Sequence, residues 1–472
     1  MATECDIAII GGGPGGYVAA IRAAQLGART VLIEKDLLGG TCTNRGCIPS
    51  KALLDAAARY EALKHASDFG LSVGTAGYDF GQVQDRKNRI VQQLRGGVET
   101  LIKGNGVSYV HGWGTMIDPR HVQVRLDDGR TEEVAARSIV IATGSVEARP
   151  PIPGLDLPGV FGSDEGLSLP EVPKSVVIIG GGAIGVEFAS MLSAFGSEVT
   201  VVEMMSTLVP TEDPDLGKAL AQQFQRRGIQ VRTEAKLDQI TQAPEGGLNV
   251  ALSTPSGPVS LHAERVMVAI GRAPFTEGLG LERIGVEMNR KWIKVDSRMQ
   301  TSVPGVYAIG DVVNGMYAHT ASAQGEVAVE NALGHDAQMD YRAVPAVTFC
   351  SPQVASVGLT EEKARATGQE IKIGRFPFAA EAKAVILGET AGFVKVVADA
   401  KYGQVLGVHM IGPEVTDLIA EATLSVMMEA TIEDIAHTIH AHPTLPEAFK
   451  EAALDVDQRA IHFMRRRRAA LG

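Results

Sequence analysis

Apolar residues in this chain come in short runs closed by glycine, and two of these runs open the same succession of elements. The stretch Asp6 to Ile10 is too short for a helix and almost wholly apolar, so it predicts a strand buried on both faces. Gly11, Gly13 and Gly16 follow in G-x-G-x-x-G spacing, and Pro14 to Leu26 predicts a helix entered through proline. A second strand is predicted at Thr30 to Ile33, ending at the acid Glu34. The order returns with a strand at Ser175 to Ile179, then Gly180, Gly182 and Gly185, a helix running to Phe195, a strand at Glu198 to Val202, and the acid Glu203. Glu34 stands as far beyond Gly16 as Glu203 stands beyond Gly185. A lone fingerprint of this kind is weak, but two in matching strand, turn, helix, strand and acid context point to a repeated dinucleotide-binding unit. Glycine lets the backbone approach a pyrophosphate, the helix start supplies exposed N–H groups to its charge, and the acid accepts from a ribose hydroxyl.

Each copy also ends in an apolar strand running into glycine, Ser138 to Gly144 with Thr143 before the last residue, and Arg265 to Gly271. The path from Gly16 to Gly144 is half as long again as the path from Gly185 to Gly271, so the first copy carries an insertion that the second lacks. The insertion holds Cys42 and Cys47. Arg149 to Gly159, rich in proline and glycine, predicts a linker, and Ser302 to Asp311 predicts a short strand stopped by glycine and acid. Past residue 346 no fingerprint recurs; strands at Phe393 to Ala398 and Gly407 to Ile411 precede helices at Asp417 to Met428 and Glu447 to Val456. The expected fold class is therefore α/β. Two Rossmann-like dinucleotide-binding domains span 1–150 and 151–275, a return segment completing the first spans 276–345, and an α+β domain spans 346–472.

Composition narrows the function. With 45% hydrophobic and 21% charged residues, disorder is excluded, and a net charge of −11 opposes binding to nucleic acid or anionic lipid. The most apolar stretches, Val176 to Leu192 among them, are broken by glycines and Glu187, so no membrane span is expected. Neither a basic leader nor a cleavage site precedes the first strand, and a cytoplasmic location is expected. Four cysteines are too few for a secreted disulfide scaffold. The run Arg465 to Arg468 reads as a solvated tail.

Candidate chemistry gathers at Gly39 to Lys51, GGTCTNRGCIPSK, just before a predicted helix from Pro49 to His65. If that helix includes Cys47, Lys51 lies one turn along on the same face, and dipole and ammonium both favour a Cys47 thiolate. No second close pair or histidine spacing completes a zinc site, and a loop this small would contribute little as a structural staple. His442 precedes Pro443, and Glu447 follows in the first turn of a helix started by Pro446, placed to accept from one ring nitrogen while the other faces a substrate. Cys5, Cys350, Trp113 and Trp292 read as structural.

The runs GGGPGG, GGTCTNRGCIPSK and GGGAIGVEFA, with His442–Pro443–Thr444 and Glu447, resemble the dihydrolipoamide dehydrogenases of the pyridine nucleotide-disulfide oxidoreductase family, class I. The resemblance covers essentially the whole chain. It implies that the first unit holds FAD, the second holds NAD, and the last domain forms a homodimer. It also implies that Cys47 lies against the flavin and Cys42 exchanges with substrate. Lys51 and Glu187 would form an ion pair beside the flavin, Asp311 would touch the ribityl chain, and Ala318 and His319 would lie at the pyrimidine end. His442 would reach the cysteine pair of the other subunit. Thr43 and Arg45 depart from the commonest loop, where a bulky apolar residue and valine are usual; the Arg45 form resembles the plastid and cyanobacterial branch.

The activity so implied is oxidation of protein-bound dihydrolipoyl groups, with electrons passing through Cys42–Cys47 and FAD to NAD+. The implied partners are lipoyl domains of 2-oxo acid dehydrogenase complexes and the lipoyl protein of glycine cleavage. A glutathione- or mercuric-type reductase running electrons the other way is the alternative. Against it, Glu203 stands where an NADPH user needs cations, and no C-terminal cysteine pair exists.

Overall fold

The computed structural model describes residues 3–464 apart from Asn314 and Met316; the Arg465–Arg468 run lies outside the described residues. In the first sheet, strands Ser108–His111, Thr30–Glu34, Thr3–Ile10 and Thr131–Ile141 lie side by side in parallel. Alternation places Ile7 and Ile9 in one core with Leu32, and Ala8 and Ile10 in another with Val31 and Ile33, so both faces are covered. Thr131–Ile141 is long enough to be shared. Its first half pairs antiparallel with His121–Arg125, and its last residues pair in parallel with Val306–Ala308. The chain thus returns to the first sheet after building the second.

The second sheet is parallel throughout, in the order Gln230–Arg232, Glu198–Val202, Ser175–Ile179, Arg265–Val268, Val160–Phe161. One face meets the helices Ala183–Ala194 and Pro214–Arg226, and the other is covered by the meander Lys236–Gln242, Leu248–Thr254, Gly257–Ala263. The two passages between units run side by side, Ser145–Glu147 pairing antiparallel with Arg272–Pro274. This crossing precedes the proline-rich stretch from which the sequence reads a linker.

The last domain is an antiparallel sheet, Ala346–Thr348, Gln353–Gly358, Val405–Gly412, Phe393–Asp399, Ile371–Pro377, with helices Val415–Met427 and Glu447–Val456 packed on it. One apolar core joins all three parts. Leu53 and Ala57 from the helix after Cys47 pack with Val186 and Phe188 of the second unit and with Cys350, Val354 and Phe393.

Candidate functional site

The two glycine loops are alike to within tenths of an ångström. Gly11 and Gly180 hold φ +111 and +109, and a methyl group on either would strike the carbonyl oxygen of Ala142 or Ala269 at 2.2 or 2.3 Å. A methyl on Gly16 or Gly185 would stand 1.8 or 1.9 Å from the carbonyl of Gly11 or Gly180. Those four glycines are demanded by the protein's own packing. Gly13 and Gly182 are different: both have ordinary extended backbone and cap helices Pro14–Gln25 and Ala183–Ala194. A methyl on Gly182 would meet nothing within 4 Å, and one on Gly13 only the Gly40 Cα at 3.9 Å. Neither conformation nor protein contact asks for glycine there, whereas a pyrophosphate lying over the helix start does.

The acids repeat the same geometry. Glu34 Oε2 accepts from the Gly12 N–H at 2.6 Å and its Oε1 from the Asp36 N–H at 2.8 Å. Glu203 accepts from Gly181 at 2.6 Å and Met205 at 2.7 Å. Each acid therefore braces its glycine loop. In the first unit a cavity opens beside Glu34, lined by Gly11, Trp113, Gly114, Thr143 and Phe275. The Lys35 ammonium lies 3.8 Å from the Phe275 ring centre and 4.7 Å from that of Trp113, and partial burial lowers its pKa. Trp113, read from sequence as packing, is part of this cavity wall; its strand runs past the glycine loop, a tertiary fact with no local signature. Trp292 is half-buried on a two-residue strand, Trp292–Ile293, and Cys5 and Cys350 are buried thiols.

Thr143 donates to the Phe275 carbonyl at 2.6 Å, and the Gly144 carbonyl accepts from Phe275 at 2.9 Å. Gly271 accepts from the Ala148 N–H at 3.0 Å where the chain leaves the second unit. Asp311 accepts from the Ser145 hydroxyl, which accepts in turn from Arg272 Nε at 2.8 Å; burial raises the Asp311 pKa. Ala318 and His319 open the helix Ala318–Ala332. The His319 ring stacks on Tyr317 at 5.2 Å with its Nε2 2.9 Å from the Pro345 carbonyl, and burial lowers its pKa. In the same first turn, the buried Thr320 hydroxyl has no protein partner, as a group left for a ligand would.

Cys42 sits in the short helix Gly40–Arg45, whose start backs onto the first glycine loop. Gly46 breaks the chain, and Cys47 opens the helix Cys47–Lys64, two residues earlier than the sequence suggests. The hydrogen bond from Cys42 brings Cys47 down to about 7, against burial and with help from Lys51; the same bond and burial push Cys42 up. Lys51 Nζ reaches both oxygens of the buried Glu187, at 2.8 and 2.9 Å. Glu187 also accepts from the Phe349 N–H at 2.9 Å, so the pair ties the cysteine helix to the second unit and the last domain. Phe349, Ser145 and Arg272 escape sequence reading because each acts through a partner more than a hundred residues away.

His442 Nδ1 lies 3.0 and 3.2 Å from the two Glu447 oxygens. Burial works to raise the Glu447 pKa, but the Thr444 N–H at 2.9 Å and His442 outweigh it and hold it low. The ring is 72% exposed, and among the described residues no hydrogen bond joins it to Cys42 or Cys47. Exposed Leu424, Met427, Met428 and Ile439 lie in the same domain.

Residues 5–325 match the pyridine nucleotide-disulphide oxidoreductase family, and residues 344–453 match that family's dimerisation domain. The chain belongs to the pyridine nucleotide-disulphide oxidoreductase family. It is 44% identical to dihydrolipoyl dehydrogenase of Bacillus subtilis over 98% of this chain and 100% of that one. It is 42% identical to the mitochondrial dihydrolipoyl dehydrogenase of Pisum sativum, over 97% and 93%. A crystal structure of LpdA from Mycobacterium tuberculosis superposes with a TM-score of 0.88 at 27% identity, covering 96% of this chain and 99% of that one. As a member of the pyridine nucleotide-disulphide oxidoreductases it is a flavin-dependent oxidoreductase acting on sulfur, with FAD and NAD as cofactors. Its two Rossmann units and dimerisation domain are those of the family. Among the described residues no helix is long and apolar enough to cross a membrane.

Proposed function

We propose that this chain oxidises dihydrolipoyl groups carried on lipoyl domains and delivers the electrons to NAD+. The observation that carries this is the placement of Cys47 at the start of the helix Cys47–Lys64, one turn before Lys51, whose ammonium holds both oxygens of the buried Glu187, so that helix start and ammonium favour a thiolate at Cys47 rather than Cys42. A pair so polarised has one sulfur suited to remain thiolate and one suited to exchange.

Gly11, Gly13, Gly16 and Glu34 would hold the adenosine and pyrophosphate of FAD, with Lys51, Thr143, Gly144, Asp311, Ala318 and His319 toward its other end. Gly180, Gly182, Gly185, Glu203 and Gly271 would hold NAD, with Glu187 between the two. FAD, when bound, supplies the two-electron relay between the reduced cysteine pair and NAD+. His442, braced by Glu447, takes a proton from one thiol of the dihydrolipoyl group, and the thiolate formed attacks Cys42 of the oxidised pair. The Cys42–Cys47 bond breaks and Cys47 leaves as thiolate, held by Lys51. The second dihydrolipoyl thiol displaces Cys42, giving lipoyl disulfide and the reduced pair, with one proton on Cys42 and one on His442.

Because the His442 ring is 72% exposed and, among the described residues, makes no hydrogen bond to Cys42 or Cys47, the reading includes a homodimer in which each His442 serves the partner's pair. Lipoyl domains of 2-oxo acid dehydrogenase complexes and the glycine-cleavage lipoyl protein are the partners proposed, in a cytoplasmic setting. Turnover of dihydrolipoamide with NAD+, compared with oxidised glutathione and NADPH, tests the proposal. Faster turnover of the second pair would replace it with the reductase reading.

A further inference from the structure

The helix carrying Cys42 ends on a guanidinium that is engaged at both ends of its fork. Arg45 pairs with Asp36, and its Nε lies 3.5 Å from Asp164 Oδ2. Asp36 belongs to the first unit, and its backbone N–H is the one Glu34 holds. Asp164 belongs to the second unit, in the short helix Ser163–Gly166, where its own N–H donates to Glu147 at 2.9 Å. The other Asp164 oxygen is buried with no hydrogen-bond partner and stands 4.0 Å from Arg272, the residue that orients Ser145 and through it Asp311. A broken line of charges thus runs from the end of the Cys42 helix, across the junction of the units, to the carboxylate facing the flavin end of the site.

We infer that Arg45 is a positioning residue: through Asp164 it sets the second dinucleotide unit in register with the helix that carries Cys42. Its charge is satisfied by two carboxylates of its own chain, which leaves it poorly suited to reading a partner protein. Packing joins the helix Gly40–Arg45 to Cys47–Lys64 and Phe80–Gly104 of the first unit, and Arg45 adds a tie to the second. Arg45 and Asp164 side chains are 42% and 36% exposed, so the tie contributes little to stability. Placement is another matter, because hydride transfer between units is steep in distance and a shift of about 1 Å can cost up to about a hundredfold. The inference rests on the proposed function only in taking the second unit as the nicotinamide site.

The test uses the FAD-loaded dimer and its reduction by NADH in stopped flow, which needs no lipoyl substrate. A wrong assignment of the dihydrolipoyl substrate would therefore leave its result untouched. Arg45→Val should slow flavin reduction about three- to tenfold. Arg45→Lys, which keeps charge but not the fork, should fall between. Asp164→Asn should slow it similarly, and the double variant should be no slower than Asp164→Asn alone. Affinity for ADP-ribose by calorimetry should stay within about twofold, because that probe reads the second unit alone. Amide exchange across residues 40–45 should speed up in Arg45→Val. Unchanged reduction or exchange in Arg45→Val, additive effects in the double variant, or ADP-ribose affinity falling in step with the rate would overturn the assignment.

Discussion

Glu203 holds two backbone N–H groups at once and is only 7% exposed, which makes Glu203→Gln a sharper probe of coenzyme choice than truncation. Glutamine keeps one acceptor oxygen, so one of the tethers to Gly181 and Met205 survives while the other N–H faces an NH2 that cannot accept. Losing that charge-assisted tether costs about 1.5–3 kcal/mol and loosens the glycine loop for both coenzymes alike, so kcat/KM should fall by up to about tenfold to a hundredfold for each before any effect on choice. Toward NADP+ the loss of charge acts in the opposite direction. A 2′-phosphate about 4 Å from a carboxylate meets about 4 kcal/mol of repulsion per pair of unit charges at an effective dielectric near 20. Wild type should therefore favour NAD+ by at least about a hundredfold. Glu203→Gln deletes that repulsion without adding a cation, so the preference should shrink by up to about a thousandfold, the equivalent of about 4 kcal/mol, and bring NADP+ close to parity with NAD+. Steady-state kcat/KM for both coenzymes, with dihydrolipoamide in excess and Tm recorded alongside, measures the effect. Equal use of both coenzymes by wild type, or an unaltered ratio in Glu203→Gln, would refute the reasoning.

Cys42→Ser should keep FAD, because the cradle proposed for it, Gly11 to Gly16 with Glu34 and Asp311, does not include the thiol, yet lose dihydrolipoamide turnover; retained turnover would take the thiols off the electron path. Lys51→Met removes a charge that lowers Cys47, so the thiolate should appear at higher pH and the alkylation profile of the reduced enzyme should move up from about 7. Glu187→Gln removes a charge that raises Cys47, and the same profile should move down; shifts of the opposite sign would show that these charges do not face the thiol. Dimers mixing a Cys42→Ser subunit with a His442→Ala subunit, each inactive alone, should recover half-site activity, because one site then joins intact Cys42 to intact His442. Proven heterodimers with no activity would falsify a site shared across the interface.

The two glycine loops are legible in sequence because every element they need is local: a strand, a close approach, a helix start and an acid at the end of the next strand. The helix after Gly46 is legible for the same reason, but the sequence starts it at Pro49, and only the structure brings Cys47 to its first position. The Lys51–Glu187 pair is not, for the two residues are 136 apart and nothing near either announces the other; only family resemblance joins them. Trp113 and Arg272 are hidden in the same way, each acquiring its role from a strand that arrives from another part of the chain. His442 is recognised by its local partner Glu447, but its exposure belongs to the tertiary fold. Arg45 stands out in the sequence as a departure, and Asp164 gives it a reason only once the units are packed.

Val306–Ala308 closes a sheet that begins at Thr3, and this has a consequence for birth on the ribosome. At about 5–20 residues per second, the N-terminal strands wait on the order of fifteen seconds or more for their last neighbour. Meanwhile the second unit, contiguous from Val160 to Val268, emerges with all five of its strands in hand. The unit begun first is thus completed after the second. Asp311, Ala318 and His319 lie beyond that closing strand, so with the flavin site proposed above the nascent chain cannot present a finished cradle until two-thirds of it has been translated. Arrest of translation before residue 306 should leave a polypeptide able to retain ADP-ribose but not FAD.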